Sequence, residues 1–414
     1  MRTPLAWSNL AQDRLRTLVA TTGVAFALTL VFMQLGFLGS VFNTATLMAD
    51  QLDFDVAIVA RNYQYLGDGE TFPLLRLSEA RSVPGVARAV PFYVGTQVWR
   101  SEIRAPNPPG ATAAAKLTAD GVKHRAMLVY GFPVAESPIR TDPGTRAFPI
   151  RVAAADLDRL RAADSLLLDA KSHSSFRPRE PGESVEVGGR RLRIAGRYEL
   201  GTSFASDGSI LVGDQTFARL FPGMGLDRVS LGLVTLDPEH AGRPEELARQ
   251  VGAALTRADE QAKLAREDVL VLTREELGRR EANYWVTQKS IGLIFLVGVA
   301  VSLVVGLVVV FQVLSSDIMD HAPEYATLKA MGYPNRYLAG VVVRQALLLS
   351  VFGYVPALAA GLLIHAAIWR WAGLPIAMTA TRALLVLALS ATMCVVAALL
   401  SVRKVTSSDP ASLF

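Results

Sequence analysis

Residues 291–316 read IGLIFLVGVAVSLVVGLVVVFQVLSS and contain no Asp, Glu, Lys or Arg. At about 1.5 Å rise per residue, a helix of this length crosses a hydrocarbon core of roughly 30 Å. Three more runs share the property: Thr17 to Phe42, Gln345 to Trp369 and Ala383 to Val402. A buried helix of a water-soluble protein rarely runs so far without a charge. The spacing of the four runs sets the fold class. One run opens the chain, about 240 mostly polar residues follow, and three runs crowd the last third. The expected fold is a membrane protein: an α-helical four-span transmembrane domain with a large α+β extracytoplasmic (periplasmic) domain between spans one and two.

Composition agrees. Hydrophobic residues make up 51% of the chain and charged residues 19%, yet the middle is rich in Arg, Asp and Glu, so the average joins two classes of sequence. The net charge of +5 is spread among interleaved acids and does not form the massed basic patch of a nucleic-acid binder. The single cysteine, Cys394, lies in the fourth run and reads as inert packing.

Bases near the run ends set the expected topology. Arg2, Arg14 and Arg16 precede span one; Lys329, Arg336 and Arg344 lie between spans two and three; Arg403 and Lys404 follow span four. Lys and Arg stay on the cytoplasmic side. Both termini and 317–344 are therefore expected inside, with 43–284 outside. Arg370 and Arg382 flank the short outer loop, 370–382, and weakly oppose the rule. The remaining expected segments are 17–42, 285–316, 345–369 and 383–402 as spans and 403–414 as an inner tail. Span one is longer than a signal-peptide core and lacks a clear cleavage site, so it reads as a retained anchor. Residues 1–16 have two readings: an amphipathic helix on the inner surface with Trp7 at headgroup level, or a polar lead-in.

In the outer domain, Val56–Ala60, Val90–Trp99, Arg125–Tyr130, Ser165–Leu168, Ile210–Val212 and Val229–Leu236 read as strands. Gly188-Gly189, between two alternating runs, marks a hairpin. Leu77–Arg81 and Pro244–Ala258 read as helices, and the domain is expected to form two lobes. No catalytic constellation is evident. His124, His173 and His240 lack metal-ligand spacing, and Lys171-Ser-His-Ser-Ser175 reads as a polar loop. No P-loop motif occurs, so ATP would have to be bound by a partner, and no cofactor or metal is expected.

The inner loop carries the most specific stretch. Pro323 and Glu324 suit a helix N-terminus, Tyr325, Leu328 and Met331 form an apolar stripe, and Gly332 with Pro334 ends the helix. Two readings stand for this stripe: docking to a partner, or packing on the membrane. Within the spans, Gln34 and Gly36 are candidates for a span-one dimer contact or for plain interhelical hydrogen bonding, and Gln312 and His365 are further intramembrane polar groups. Gly292, Gly298, Ser302 and Gly306 suit close packing, and Pro356 is expected to kink span three.

Glu324-Tyr-Ala-Thr-Leu-Lys-Ala-Met-Gly332 resembles the coupling-helix signature of the MacB/FtsX superfamily of ABC transporter permeases. The tail, Arg403-Lys404 and Asp409-Pro-Ala-Ser-Leu413, resembles that group's ending, here one residue shorter. Pro4-Leu-Ala-Trp7, Arg14-Leu-Arg16, Gly23-Val-Ala-Phe-Ala27 and Phe32-Met-Gln-Leu-Gly-Phe37 are similar to the DevC-type exporter permeases. The resemblance implies a permease homodimer in membrane lipid, bound to ABC ATPase subunits through Glu324, Tyr325, Leu328, Lys329, Met331 and Gly332. It also implies a periplasmic membrane-fusion adaptor and an outer-membrane channel, with export by mechanotransmission and a lipid or glycolipid as one cargo class. Two alternatives stay open: an FtsX-like relay that controls a periplasmic hydrolase without transport, and a lipoprotein-releasing permease.

Overall fold

The computed structural model describes residues 14–104, 120–141, 149–202, 206–240, 242–261, 268–320, 331, 334–372, 374 and 376–407. Of the amphipathic segment expected over 1–16, residues 1–13 lie outside the described residues and 14–16 belong to the first long helix; of the tail expected over 403–414, residues 408–414 lie outside them. The chain divides into two compact units. One holds 1–40, 290–370 and 376–414; the other holds 41–289 and 371–375.

The first unit is helical. Its long helices are α1 (Arg14–Ala45), α7 (Ile291–Asp320), α8 (Asn335–Ala372) and α9 (Ala380–Ser407). All four are long and apolar enough to cross a membrane. Ala20, Val24, Leu28, Val31, Val310, Leu314, Ala346, Leu349, Cys394 and Ala397 pack between the helices. Leu293, Ile294, Val301, Val304, Leu363 and Leu384 are exposed. Helices that are apolar on both their packed and exposed faces belong in lipid, where the helix satisfies every backbone group internally. Small residues allow close approach: a β-carbon at Gly306 would press on Met393, and one at Gly353 on Val24. Polar side chains pair between helices. Ser350 meets Ser390 at 2.8 Å, Ser315 donates to Ser401 at 3.2 Å, and Gln345 donates to Asp317 at 2.8 Å.

The second unit is α+β. Its strands are β1 (Val56–Ala60), β2 (Phe72–Pro73), β3 (Val86–Arg104), β4 (Asp120–Phe132), β5 (Ser165–Asp169), β6 (Ser184–Val187), β7 (Arg190–Tyr198), β8 (Ser209–Gly213), β9 (Arg228–Val229), β10 (Leu231–Leu236) and β11 (Val269–Thr273). The main sheet runs β11-β1-β10-β3-β4-β8-β5-β7-β6. The 19-residue β3 is shared along its length: Val86–Phe92 pair with β10 and Tyr93–Arg104 with β4. Trp99 and Arg100 then pair with Val187 and Glu186 of β6. That last pairing returns the sheet onto β3, so six strands form a closed ring without a free edge for β3 and β6 at the seam. Gly188 and Gly189 make the β6–β7 turn with φ of 56° and 74°, the double left-handed geometry that a two-residue hairpin requires.

Helices α2 (Leu75–Arg81), α3 (Ala154–Arg159), α4 (Asp214–Leu220), α5 (Pro244–Gln261) and α6 (Arg274–Asn283) complete the unit. Two of them were legible as periodic runs, while α3, α4 and α6 are too short or too polar to show the pattern. Leu247, Val251 and Leu255 of α5 join Ile58, Leu77 and Val234 in one apolar cluster. Arg76 of α2 is buried at 2% exposure and is paired with Glu79 and Asp268.

The ring seam rests on Trp99. Its side chain is fully buried, its Nε1 donates to the Arg177 carbonyl at 3.0 Å, and Phe176 stands edge-on with centroids 5.9 Å apart. Trp99→Ala is expected to lower the unfolding free energy by about 3–5 kcal/mol. Trp99→Phe, which keeps a ring and loses the hydrogen bond, is expected to cost about 1–2 kcal/mol. Urea unfolding of the full chain in detergent, followed by far-UV circular dichroism, measures both. A loss under about 1 kcal/mol for Trp99→Ala would mean that the seam does not depend on this side chain.

Candidate functional site

Of the six inner-loop residues expected to contact an ATPase, the structure describes Met331 alone. It is 63% exposed, in a turn before Pro334 and the start of α8. Glu324, Tyr325, Leu328, Lys329 and Gly332 lie outside the described residues.

The structure places Gln34 and Gly36 in contacts within one chain. The Gln34 amide lies against Gly298 of α7, and Gly36 lies under the His365 ring of α8. Gly36 is buried there, so close helix packing already accounts for a glycine at this position. In the polar loop, His173 Nδ1 meets Ser175 Oγ at 2.8 Å and accepts from the Ser175 backbone. Among the described residues, no three His, Cys, Asp or Glu side chains converge as metal ligands.

What the sequence did not reveal is a clasp at the root of the α+β unit. The chain comes into the unit after Ser40 and leaves it at Lys289. Both passages are bound to one another. Arg274, the first residue of α6, donates to the carbonyls of Leu52 and Phe54 at 2.7 Å each and to that of Ala49 at 3.3 Å. Its guanidinium also lies 4.0 Å over the Phe54 ring. Burial pushes its pKa down to about 10, with Arg140 nearby acting in the same direction, and it remains a cation at neutral pH.

Arg280 Nε donates to the Tyr63 carbonyl at 2.8 Å. The Tyr63 hydroxyl donates to Glu281 in a short hydrogen bond. Tyr65 stacks on Tyr284 with centroids 4.4 Å apart and meets Trp285 edge-on at 5.3 Å. Helix α6 starts with a capping box, in which Thr273 Oγ1 accepts from the Glu276 backbone and the Glu276 carboxylate accepts from the Thr273 backbone. It ends in a π-helical turn, Tyr284–Gln288. Such turns are rare and cluster at working parts of proteins. Ser290, next in the chain before α7, has φ of 55°, a costly region for a residue with a β-carbon.

A cavity of about 40 Å³ adjoins the clasp, lined by Leu47, Tyr65, Tyr130, Ser209, Glu281 and Trp285 among others. It is large enough for only a few waters. Burial raises the Glu281 carboxyl to about 8, against the lowering effect of its Tyr63 bond. The clasp therefore holds a neutral acid at pH 7. The capping signature Thr273-Arg-Glu-Glu276 stands in the sequence and marks α6, but nothing local links it to Tyr63 or Ala49.

The fold and these contacts define a class: a four-span integral membrane protein with an α+β domain inserted after its first span. Residues 17–254 match the MacB-like periplasmic core domain, and residues 296–410 match the FtsX-like permease C-terminal domain. The chain belongs to the MacB/FtsX superfamily of ABC transporter permeases, whose members work with ABC ATPase partners. An uncharacterized ABC transporter permease of Methanocaldococcus jannaschii is 23% identical over 195 residues, 47% of this chain. The match spans 46% of that relative, about half its length. Two solved structures are similar at 12% identity and a TM-score of 0.33. The extracellular domain of the noncanonic ABC-type transporter YknZ from Gram-positive bacteria is matched over 99% of its chain and 53% of this one. The periplasmic region of MacB from Actinobacillus actinomycetemcomitans is matched over 92% of its chain and 55% of this one. Neither adds to the family assignment.

The buried acid gives a pH dependence with a fixed sign. The folded chain keeps the Glu281 proton up to about pH 8, while the unfolded chain releases it near pH 4.3. Between those values the folded state binds more protons, so stability falls as pH rises through that window and levels off above it. The melting temperature of the α+β unit in the full chain is expected to drop by several degrees from pH 5 to pH 8.5, and Glu281→Gln is expected to remove most of that slope. Equal slopes in the two proteins, read by scanning calorimetry, would remove Glu281 as the cause.

Proposed function

We propose that this chain is the permease of a DevC-type ABC exporter that works by mechanotransmission. On this reading two copies pair in the bacterial inner membrane with both termini in the cytoplasm. A separate ATPase binds ATP and pushes the inner loop through Glu324, Tyr325, Leu328, Lys329, Met331 and Gly332. The α+β domain, on the far side, drives a periplasmic membrane-fusion adaptor that leads to an outer-membrane channel. Lipid or glycolipid is the cargo class the reading favours.

The observation that supports it best is the clasp. A relay of motion needs the two chain passages of the domain to move together, since one continues from span one and the other into span two. Arg274 joins Ala49, Leu52 and Phe54 to the start of α6, and Tyr63, Tyr65, Glu281, Tyr284 and Trp285 join the same passages again. A displacement arriving by either passage therefore reaches the sheet through one body.

The test is co-purification. The tagged chain, solubilised gently, is expected to bring an ABC ATPase with it, together with an adaptor. Leu328→Asp combined with Met331→Asp places charge on the apolar stripe of the inner loop and is expected to lower ATPase recovery at least tenfold, about 1.4 kcal/mol of binding, while the melting temperature of the chain is unchanged. Undiminished ATPase recovery from the double variant would overturn the docking assignment. An ATPase recovered with a peptidoglycan hydrolase in place of an adaptor would overturn export.

A further inference from the structure

One polar cluster in the membrane unit is used by neither the inner loop nor the clasp. Gly36, Gly39 and Ser40 lie on one face of α1 by three- and four-residue spacing. Two side chains from other helices lie across that face. A β-carbon at Gly36 would collide with the His365 imidazole of α8, and one at Gly39 with the Arg382 guanidinium of α9. The two glycines thus form a notch that admits both side chains.

The polar accounting at this notch does not close. Five buried side-chain polar atoms among the described residues have no hydrogen-bond partner, and three of them are here: Ser40 Oγ and both ring nitrogens of His365. Ser40 is 0% exposed and His365 is 4% exposed. The Phe32 backbone is close to the imidazole, without hydrogen-bond geometry. Arg382 donates from one terminal nitrogen to the Ala377 carbonyl and makes no ion pair among the described residues. No Asp or Glu occurs in 14–40, 290–316 or 345–407. The membrane unit therefore offers no carboxylate partner near these groups, and Arg370 adds a further cation nearby in sequence.

Buried polar groups without partners, beside a guanidinium that has a carbonyl but no carboxylate, are costly at a membrane helix end and mark sites. The complementary group is an anion with several acceptor oxygens. A guanidinium fork matches phosphate in particular. Depth narrows the source. Gly36–Ser40 are the last residues of α1 in the membrane unit, His365 is close to the C-terminal end of α8, and Arg382 is the third residue of α9. This is where spans reach the headgroup layer, and the exposed Leu363, Leu384 and Leu385 offer apolar surface for acyl chains.

We infer that Ser40, His365 and Arg382, seated on the Gly36–Gly39 notch, hold the phosphate of a membrane phospholipid. Arg382 supplies the charge at the surface, and His365 and Ser40 supply hydrogen bonds behind it. The assignment accounts for bases at a helix end where the charge rule for membrane loops predicts few. It requires only that the chain is embedded in a membrane, so its failure and that of the export reading are separate.

Native mass spectrometry of the full chain in detergent, titrated with phosphatidylglycerol, tests it. The native chain is expected to retain at least one lipid, and Arg382→Gln and His365→Gln to weaken that binding about tenfold. Arg370→Gln, which removes a cation outside the notch, is expected to change it less than about twofold. Arg382→Lys and Ser40→Ala guard against misfolding. The lysine is expected to fall between native and glutamine because a point charge lacks the fork, and Ser40→Ala to weaken binding several-fold at an unchanged melting temperature. Native-strength binding by Arg382→Gln, or an equal loss in Arg370→Gln, would overturn the site. Displacement of the lipid by millimolar inorganic phosphate would overturn the lipid assignment in favour of a free-anion site.

Discussion

Arg274 is the contact on which the α+β unit depends. Its guanidinium gathers carbonyls 220, 222 and 225 residues away in sequence. Those carbonyls belong to the stretch between α1 and β1, where a single 3-10 turn at Ala49–Gln51 is the regular structure available to satisfy them. A buried backbone acceptor left alone costs roughly 1–3 kcal/mol; Ala49 also accepts from the Leu52 backbone, so the arginine chiefly spares Leu52 and Phe54 that cost. It does so as a cation, because its lowered pKa of about 10 still lies well above neutrality. Lysine, with a single compact ammonium, has no planar fork to spread over three carbonyls. The chain can thus leave α1, build a sheet and return at α6 with both passages held together.

The sequence discloses what is repetitive and conceals what is joined across distance. Four apolar runs, a Gly-Gly hairpin and the four-residue spacing of Leu247, Val251 and Leu255 are local patterns, and each has its counterpart in the structure. Helix α6 was not read from the sequence, since Arg274 to Asn283 is too polar to show an apolar face and its one local sign is the capping box at Thr273 and Glu276. The clasp was invisible because Tyr63 and Glu281 lie 218 positions apart, and a glutamate in a run of charged residues reads as solvated. Only the fold reveals that it is 1% exposed. The inner-loop motif shows the reverse case: a specific local signature whose residues, Met331 excepted, lie outside the described part of the structure.

In the membrane unit the same polar accounting separates structural groups from candidates for binding. Ser350 with Ser390 and Ser315 with Ser401 are satisfied pairs between helices, each worth about 1 kcal/mol in lipid, while Gln345 donates to Asp317 and leaves only its own Oε1 without a partner. Gln34 rests on a glycine of α7 and explains why that position is small. His365 and Ser40 lack such partners, and this difference, rather than the mere presence of polar residues in a span, sets the notch apart.

Regular and irregular backbone are distributed unevenly along the chain from the sheet to α7. The ring β3-β4-β8-β5-β7-β6 has its seam sealed by Trp99, and each strand is held by a neighbour on both sides. Deforming it would break several ladders together. By contrast, the stretch just before α7 combines a π-helical turn at Tyr284–Gln288 with a left-handed Ser290. Both are conformations that ordinary helices avoid, and a residue such as Ser290 gives up of the order of 1–2 kcal/mol to hold one. The π-helical turn carries Tyr284 and Trp285, which pack on Tyr65, so the irregular backbone here sets two of the clasp's aromatic contacts.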